Sequence, residues 1–84
     1  MPIKITIIDP DKTLFEGTAE YLMAPGVRGM LGIFPSHTPL FAELIKGEIF
    51  IKSDKEELVA LEGGIMRVRN DEVTILIDKV EVTS

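Results

Sequence analysis

The sequence predicts an all-β protein, a two-sheet β-sandwich of about ten short strands. Three observations favour this fold class. Short apolar runs recur between Gly, Pro, Asp and Asn residues, which is typical of strands joined by tight turns. Several runs alternate polar and apolar residues with a period of two. About ten strands are too many for a single open sheet in a chain of this size, whereas two packed sheets would bury their apolar faces against each other.

The N-terminal half supplies four apolar runs. They are Lys4–Ile8, Leu14–Phe15, Ala19–Ala24 and Arg28–Phe34. Asp9-Pro10-Asp11-Lys12 predicts a turn after the first run, because proline fixes φ and aspartate tolerates turn geometry. Gly17 is expected to cut the second run. The fourth is expected to bend at its glycines, with unusual backbone geometry at Gly32, and to stop at Pro35.

The C-terminal half supplies the remaining strands. They are Glu48–Lys52, Glu57–Leu61, Ile65–Val68, Val73–Ile77 and an edge strand at 79–82. The first two read as a hairpin around the polar tip Ser53–Glu56. Gly63-Gly64 is expected to break the chain between strands. Only Leu40–Ile45 has a pattern compatible with a helix, and it is too short to be stable alone.

Composition limits the classes of function. The 84 residues, 45% of them hydrophobic and none of them cysteine, predict a single domain at 1–84 that is stabilised by apolar burial. A net charge of −5 argues against nucleic acid, whose binding normally needs a basic face. No apolar run approaches the roughly 18 residues of a membrane span. We therefore expect membrane association only through a partner.

Candidate catalytic residues are sparse. His37 is the only histidine and could serve as a general base, a metal ligand or a structural residue. Its neighbour Ser36 would point the other way in an extended chain, so a structural or interface role is favoured. The carboxylates are scattered over turns, and Asp9-Pro10-Asp11 lacks the rest of a calcium loop. No metal site or cofactor is therefore predicted.

Two further patterns leave binding functions open. The glycines at 26, 29 and 32 resemble a phosphate loop in spacing, but the run continues into Pro35, which does not begin the required helix. Bends in a strand explain these glycines better. Met23, Met30, Phe34 and Phe41 suit either a core or an interface, since methionine and aromatic residues are favoured at both.

Glycines, prolines and the histidine recur at fixed spacings along nearly the whole chain. The segments are Phe15-x-Gly17, Ala24-Pro25-Gly26-x-x-Gly29-x-Leu31-Gly32-Ile33-x-Pro35-x-His37-x-Pro39-Leu40, and Gly63-Gly64 followed by Val68 and Val73-Thr74-Ile75-Leu76. In this order they closely resemble the epsilon subunit family of F-type ATP synthases. The resemblance implies a two-sheet sandwich and a non-catalytic rotor subunit of the central stalk.

The resemblance also implies partners. The domain would bind the gamma subunit and the c-ring, and so couple proton translocation to ATP synthesis without a cofactor. Arg28, Gly29, Met30 and Leu31 resemble the segment facing the c-ring. His37, Phe41 and Ala42 resemble part of the surface facing gamma. The start at Met1 without a transit peptide suits a bacterium or an organelle that encodes the subunit itself, and we expect the cytoplasmic face of a bacterial inner membrane.

Two departures from the family pattern are visible. Family members often carry glutamate where Met30 stands, so the ion pair to the ring is absent here, and the contact would be apolar or be made by a neighbouring residue. Most members also continue into a C-terminal helical pair, whereas this sequence stops at Ser84. Neither hairpin inhibition nor nucleotide binding is therefore expected. The alternative is a free-standing small-ligand-binding sandwich with His37 and Arg28 lining a cleft.

Overall fold

The computed structural model describes residues 2–78, which contain seven strands and no helix. The strands are β1 (Ile3–Ile8), β2 (Thr13–Ala19), β3 (Tyr21–Gly26), β4 (Gly29–Ile33), β5 (Leu40–Lys52), β6 (Glu56–Arg69) and β7 (Glu72–Ile77). They form one continuous hydrogen-bonded sheet in the order β2-β1-β7-β6-β5-β3-β4. The β1–β7 pairing is parallel, and all other neighbours are antiparallel.

Short polar turns connect β1 to β2 and β6 to β7, and their residue types suit these turns. The carboxylate Oδ1 of Asp9 accepts hydrogen bonds from the backbone N–H groups of Asp11 and Lys12 at 2.7 and 2.8 Å. This local bonding confirms the turn predicted after β1. Asn70 and Asp71 form the β6–β7 turn with φ angles of 52° and 60°, and these residue types tolerate the left-handed region.

The long β5–β6 hairpin joins the two parts of the sheet. Its register is constant from Leu40 opposite Val68 to Lys52 opposite Glu56. Near the β5 N-terminus the buried positions are even-numbered, as at Leu44, whereas beyond Gly47 they are odd-numbered. A matching change of phase occurs in β6 around its glycine pair. Different sets of positions are therefore buried in the half of the hairpin that pairs with β7 and in the half that pairs mainly with β3.

All seven strands contribute to one apolar core. Its buried members are Ile3, Ile5, Ile7, Ala19, Leu22, Ala24, Ile33, Leu44, Ile49, Ile51, Leu61, Met66, Val68, Val73, Ile75 and Ile77. Each fully buried aliphatic side chain contributes about 1.5–3 kcal/mol relative to exposure. The shortest principal extent is 19 Å, which suits two packed β layers about 10 Å apart. The continuous sheet thus encloses its own apolar face.

The all-β prediction is confirmed, but the strand count and the separation into two sheets differ from it. Residues 2–78 form seven strands in one continuous sheet, whereas the sequence predicted about ten strands in two sheets over the whole chain. The predicted break at Gly63-Gly64 is wrong, because β6 runs through both glycines. A Cβ on Gly64 would lie 2.5 Å from the Leu76 carbonyl oxygen, so glycine here permits close pairing with β7.

Other local predictions are also corrected. The possible helix at Leu40–Ile45 is the first half of β5, because cross-strand pairing with β6 satisfies its backbone. Strand β2 continues through Gly17, and the run Ala19–Ala24 divides between β2 and β3. Gly29, rather than Gly32, has the unusual backbone, with a φ of 127°. The strand predicted at 79–82 lies outside the described residues.

Candidate interaction surface

The β3–β4 hairpin presents four of the predicted contact residues. Gly26 pairs with Gly29 across a turn formed by Val27 and Arg28. The Val27 N–H donates to the Glu43 carbonyl oxygen at 3.1 Å, which fixes the hairpin against β5. Neighbouring side chains of β4 point to opposite faces. Met30 is therefore 62% exposed, whereas Leu31 is half-buried against the core.

A groove between this hairpin and the start of β5 collects predicted contact residues from both elements. It is lined by Gly26, Val27, Arg28, Leu31, Leu40, Phe41, Ala42 and Glu43. Arg28 and Leu31, predicted to face one partner, thus share a groove with Phe41 and Ala42, predicted to face another. Phe41 is 70% exposed, whereas Ala42 packs partly against the core. Phe41 is therefore the principal apolar side chain offered to a partner here.

His37 lies in the loop before β5 and makes local hydrogen bonds. Its ring Nδ1 is 2.7 Å from the Thr38 carbonyl oxygen, and because a carbonyl only accepts, Nδ1 is the donor. The His37 backbone N–H donates to the Phe34 carbonyl oxygen at 3.2 Å. His37 does not line the groove that contains Arg28. The cleft that the ligand-binding alternative requires between these two residues is therefore not formed by that groove.

The outward face around β5, β6 and β7 carries exposed apolar side chains. Ile65 is directly opposite Leu76 in the sheet register, and both are more than two-fifths exposed. Phe41 and Ile45 project from the outward positions of β5. These residues alternate with buried ones, so the period of two that builds the core also places them on the surface. Sequence reasoning identified only Phe41 among them.

A second outward face carries an aromatic cluster. Tyr21 stacks on Phe34 with ring centroids 5.0 Å apart, and it lies 6.2 Å from Phe50 in a tilted arrangement. Met23 and Leu58 are opposite Phe50 on its two neighbouring strands. Phe34 and Leu58 are more than half exposed. Phe34, for which the sequence left both a core and an interface position possible, therefore lies on the surface.

Two arginines of β6 lie beside Phe41, and neither was identified from the sequence. Arg67 is directly opposite Phe41 in the β5–β6 register, and Arg69 lies one outward position further along β6. An open groove there is lined by Pro39, Leu40, Phe41, Arg67, Val68, Arg69 and Asn70. The alternation of Arg67-Val68-Arg69 was the available signal. It became meaningful only once the cross-strand register was known.

Residues 2–78 were also inspected for a metal site and for a membrane-spanning helix. No group of three or more His, Asp or Glu side chains converges there to hold a metal ion. That part of the chain also contains no helix of the length and apolarity needed to cross a membrane. The described surface carries apolar faces and open grooves, which are typical of protein contacts.

Comparison with known proteins assigns the chain to a family. Residues 2–83 match the family model described as the β-sandwich domain of the ATP synthase delta/epsilon chain. The chain belongs to this family. The resemblance inferred from the glycine and proline spacings is therefore confirmed, as is the β-sandwich class. The prediction of a non-catalytic chain agrees with this family, whose description names a β-sandwich domain of an ATP synthase chain.

Curated relatives carry the name ATP synthase epsilon chain. The chain is 38% identical to that of Synechococcus elongatus over 82 residues, covering 96% of this chain and 60% of the relative. It is 39% identical to that of Brevibacillus brevis, covering 93% of this chain and 61% of the relative. The chain thus spans about three-fifths of the length of these relatives.

Solved structures of ATP synthases share the fold. A chain of the Euglena gracilis mitochondrial ATP synthase, in a structure of OSCP, F1 and the c-ring, superposes with a TM-score of 0.85 at 18% identity. That match covers 90% of this chain and 50% of the other. A chain of the Tetrahymena thermophila central stalk and c-ring gives a TM-score of 0.78, also at 18% identity, covering 94% and 65% of the two chains.

Proposed function

We propose that this chain acts as the β-sandwich domain of an epsilon subunit in the central stalk of a proton-translocating ATP synthase. In this role it binds the gamma subunit and the c-ring, and so couples ion flow to ATP synthesis. The family match over residues 2–83 supports the proposal. The names of the curated relatives support the same subunit type.

The exposed side chains suit a domain held between two partners. Phe41 at 70% exposure carries the proposal, because an isolated aromatic ring so exposed gains stability when a partner covers it. We assign His37, Phe41 and Ala42 to the gamma contact. Arg28, Gly29, Met30 and Leu31 are assigned to the c-ring contact, where Met30 offers an adaptable apolar side chain.

The proposed role also includes the extent of the domain, its lack of a cofactor and its location. Residues 1–84 act as one epsilon-type domain and require no cofactor. The domain sits at the cytoplasmic face of the bacterial inner membrane as a peripheral component, held there by its partners. Torque passes through side-chain contacts on the sandwich surface, while the reacting groups of ATP synthesis belong to other subunits.

The test is complex formation with the gamma subunit of the same organism. The 84-residue chain and purified gamma are mixed at micromolar concentration and separated by gel filtration. Co-elution at the summed mass supports the proposal. Separate elution of two folded proteins, checked by circular dichroism, contradicts the subunit assignment. The chain alone and gamma alone provide the reference elution volumes.

A further inference from the structure

We propose that Arg67 and Arg69 give the Phe41 surface its specificity, by selecting an acidic segment of the partner protein. Rim charges beside a buried aromatic anchor commonly determine which partner is accepted. This inference rests on the proposed function, because the segment belongs to the partner that covers Phe41. It adds two residues and a charge requirement to that contact.

The sheet register places both arginines beside the aromatic ring. Arg67 and Phe41 are directly opposite each other on β6 and β5, and Thr74 is opposite Arg67 on the other side. Arg69 projects from the same face, opposite Glu72. Arg67, Arg69 and Phe41 line one open groove together with Pro39. An extended segment lying in this groove would contact the ring and both guanidinium groups.

Neither arginine forms an ion pair with a carboxylate of residues 2–78. Ion pairs between residues 2–78 are formed by Lys46 with Glu62 and by Lys52 with Glu56, both away from this groove. Glu72 and Glu43 lie on neighbouring outward positions, yet neither forms an ion pair with Arg67 or Arg69. The two guanidinium groups therefore remain available to carboxylates from outside.

The chemistry of the groove specifies the occupant. Guanidinium groups bind carboxylates through paired hydrogen bonds, and arginine is enriched with aromatic residues at interfaces. Nucleic acid is a poor candidate, because a chain of net charge −5 repels a phosphate backbone. The fitting occupant is a protein segment in which an apolar side chain covers Phe41 and adjacent Asp or Glu residues meet Arg67 and Arg69.

The experiment compares gamma binding by charge-matched variants. Affinity of the 84-residue chain for gamma is measured by calorimetry at about 50 mM and about 300 mM salt, since screening weakens exposed ion pairs. The double variant Arg67→Gln/Arg69→Gln removes two charges from the groove. The control Lys12→Gln/Lys55→Gln removes two charges from exposed turns elsewhere. Thermal melting confirms that each variant folds.

The expected result is affinity at least about tenfold weaker for the arginine variant at low salt, with a smaller salt dependence. The lysine control should stay within about twofold of the unaltered chain. Equal losses in both double variants would overturn the inference, because general charge would then explain binding. If Phe41→Glu prevents binding while the arginine variant binds normally, the inference fails and the proposed function stands. If the unaltered chain does not bind gamma, both fail.

Discussion

The Asp71 side chain accepts a hydrogen bond from the backbone N–H of Ser36, with Oδ1 2.7 Å from that nitrogen. The bond joins the loop before β5 to the turn before β7, 35 positions apart in sequence. The Asp71 carbonyl oxygen also accepts from the Lys4 N–H at 2.8 Å. Asp71 therefore ties the loop that contains His37 to the β1–β7 part of the sheet.

Replacing Asp71 by alanine should lower the free energy of unfolding by about 1–2 kcal/mol. The change removes the acceptor for Ser36, and it places alanine at a φ of 60°, which aspartate tolerates better. Urea denaturation followed by circular dichroism measures the loss. Asp71→Asn is the control, because it retains an acceptor oxygen and tolerates left-handed geometry. Equal losses in both variants would show that charge, rather than the hydrogen bond, stabilises this junction.

Replacing Gly64 by alanine should destabilise the fold by about 3 kcal/mol or more, because the new Cβ meets backbone that side-chain rotation does not relieve. The ideal Cβ position is 2.5 Å from the Leu76 carbonyl oxygen and 2.9 Å from the Ile77 Cα. Separation of β6 from β7 would follow. The measurement is the midpoint of urea unfolding, with the slope compared to detect loss of compactness.

Gly17→Ala provides the matched control for Gly64. A Cβ at Gly17 would meet only the Phe15 ring, at ordinary distances of 3.5 and 3.6 Å. Alanine is also intrinsically better than glycine in a strand by roughly 0.5–1 kcal/mol. This variant should therefore unfold at the same or a slightly higher urea concentration. A similar loss for both alanine variants would argue against close β6–β7 contact as the cause.

Local chemistry made part of the fold predictable. The Asp9–Lys12 turn was visible because its bonding is completed within four residues. The prediction at Gly63-Gly64 was wrong, because glycine in a local pattern indicates a break in a strand. Here the absence of a side chain at Gly64 allows the backbone of β7 to pack closely. The segment Leu40–Ile45 was also misjudged, because it becomes a strand only by pairing with residues 18 to 28 positions away. Strand continuity through such sites is a long-range property.

The residues of the candidate site likewise include some that the sequence predicted and some that depend on long-range pairing. Phe41 was indicated by the family resemblance, and its 70% exposure suits the contact proposed for it. Arg67 and Arg69 were not identified, because their proximity to Phe41 follows from the register of a hairpin whose two strands had been divided into separate pieces. Gly32 was assigned the unusual backbone that Gly29 has, since spacing alone does not distinguish glycines in one run.

Neighbouring residues of β7 should respond very differently to truncation. Ile75 is fully buried, so Ile75→Ala should cost about 2–5 kcal/mol through lost burial and a cavity. Leu76 is 46% exposed on the opposite face, and Leu76→Ala should cost no more than about 1 kcal/mol. Urea denaturation of both variants measures the difference. Comparable losses would contradict the assignment of faces along β7.

Replacing Phe41 by glutamate should weaken gamma binding by at least about 100-fold, because the aromatic anchor is lost and a carboxylate would have to be desolvated in the contact. The fold should be retained, since a side chain 70% exposed adds little to the core. Calorimetry with purified gamma measures affinity, and thermal melting measures stability. Leu58→Glu is the control, because Leu58 is 61% exposed on the outward face that carries the aromatic cluster. It should bind gamma normally. The opposite pattern, with only Leu58→Glu impaired, would place gamma on that second face and remove Phe41 from the contact.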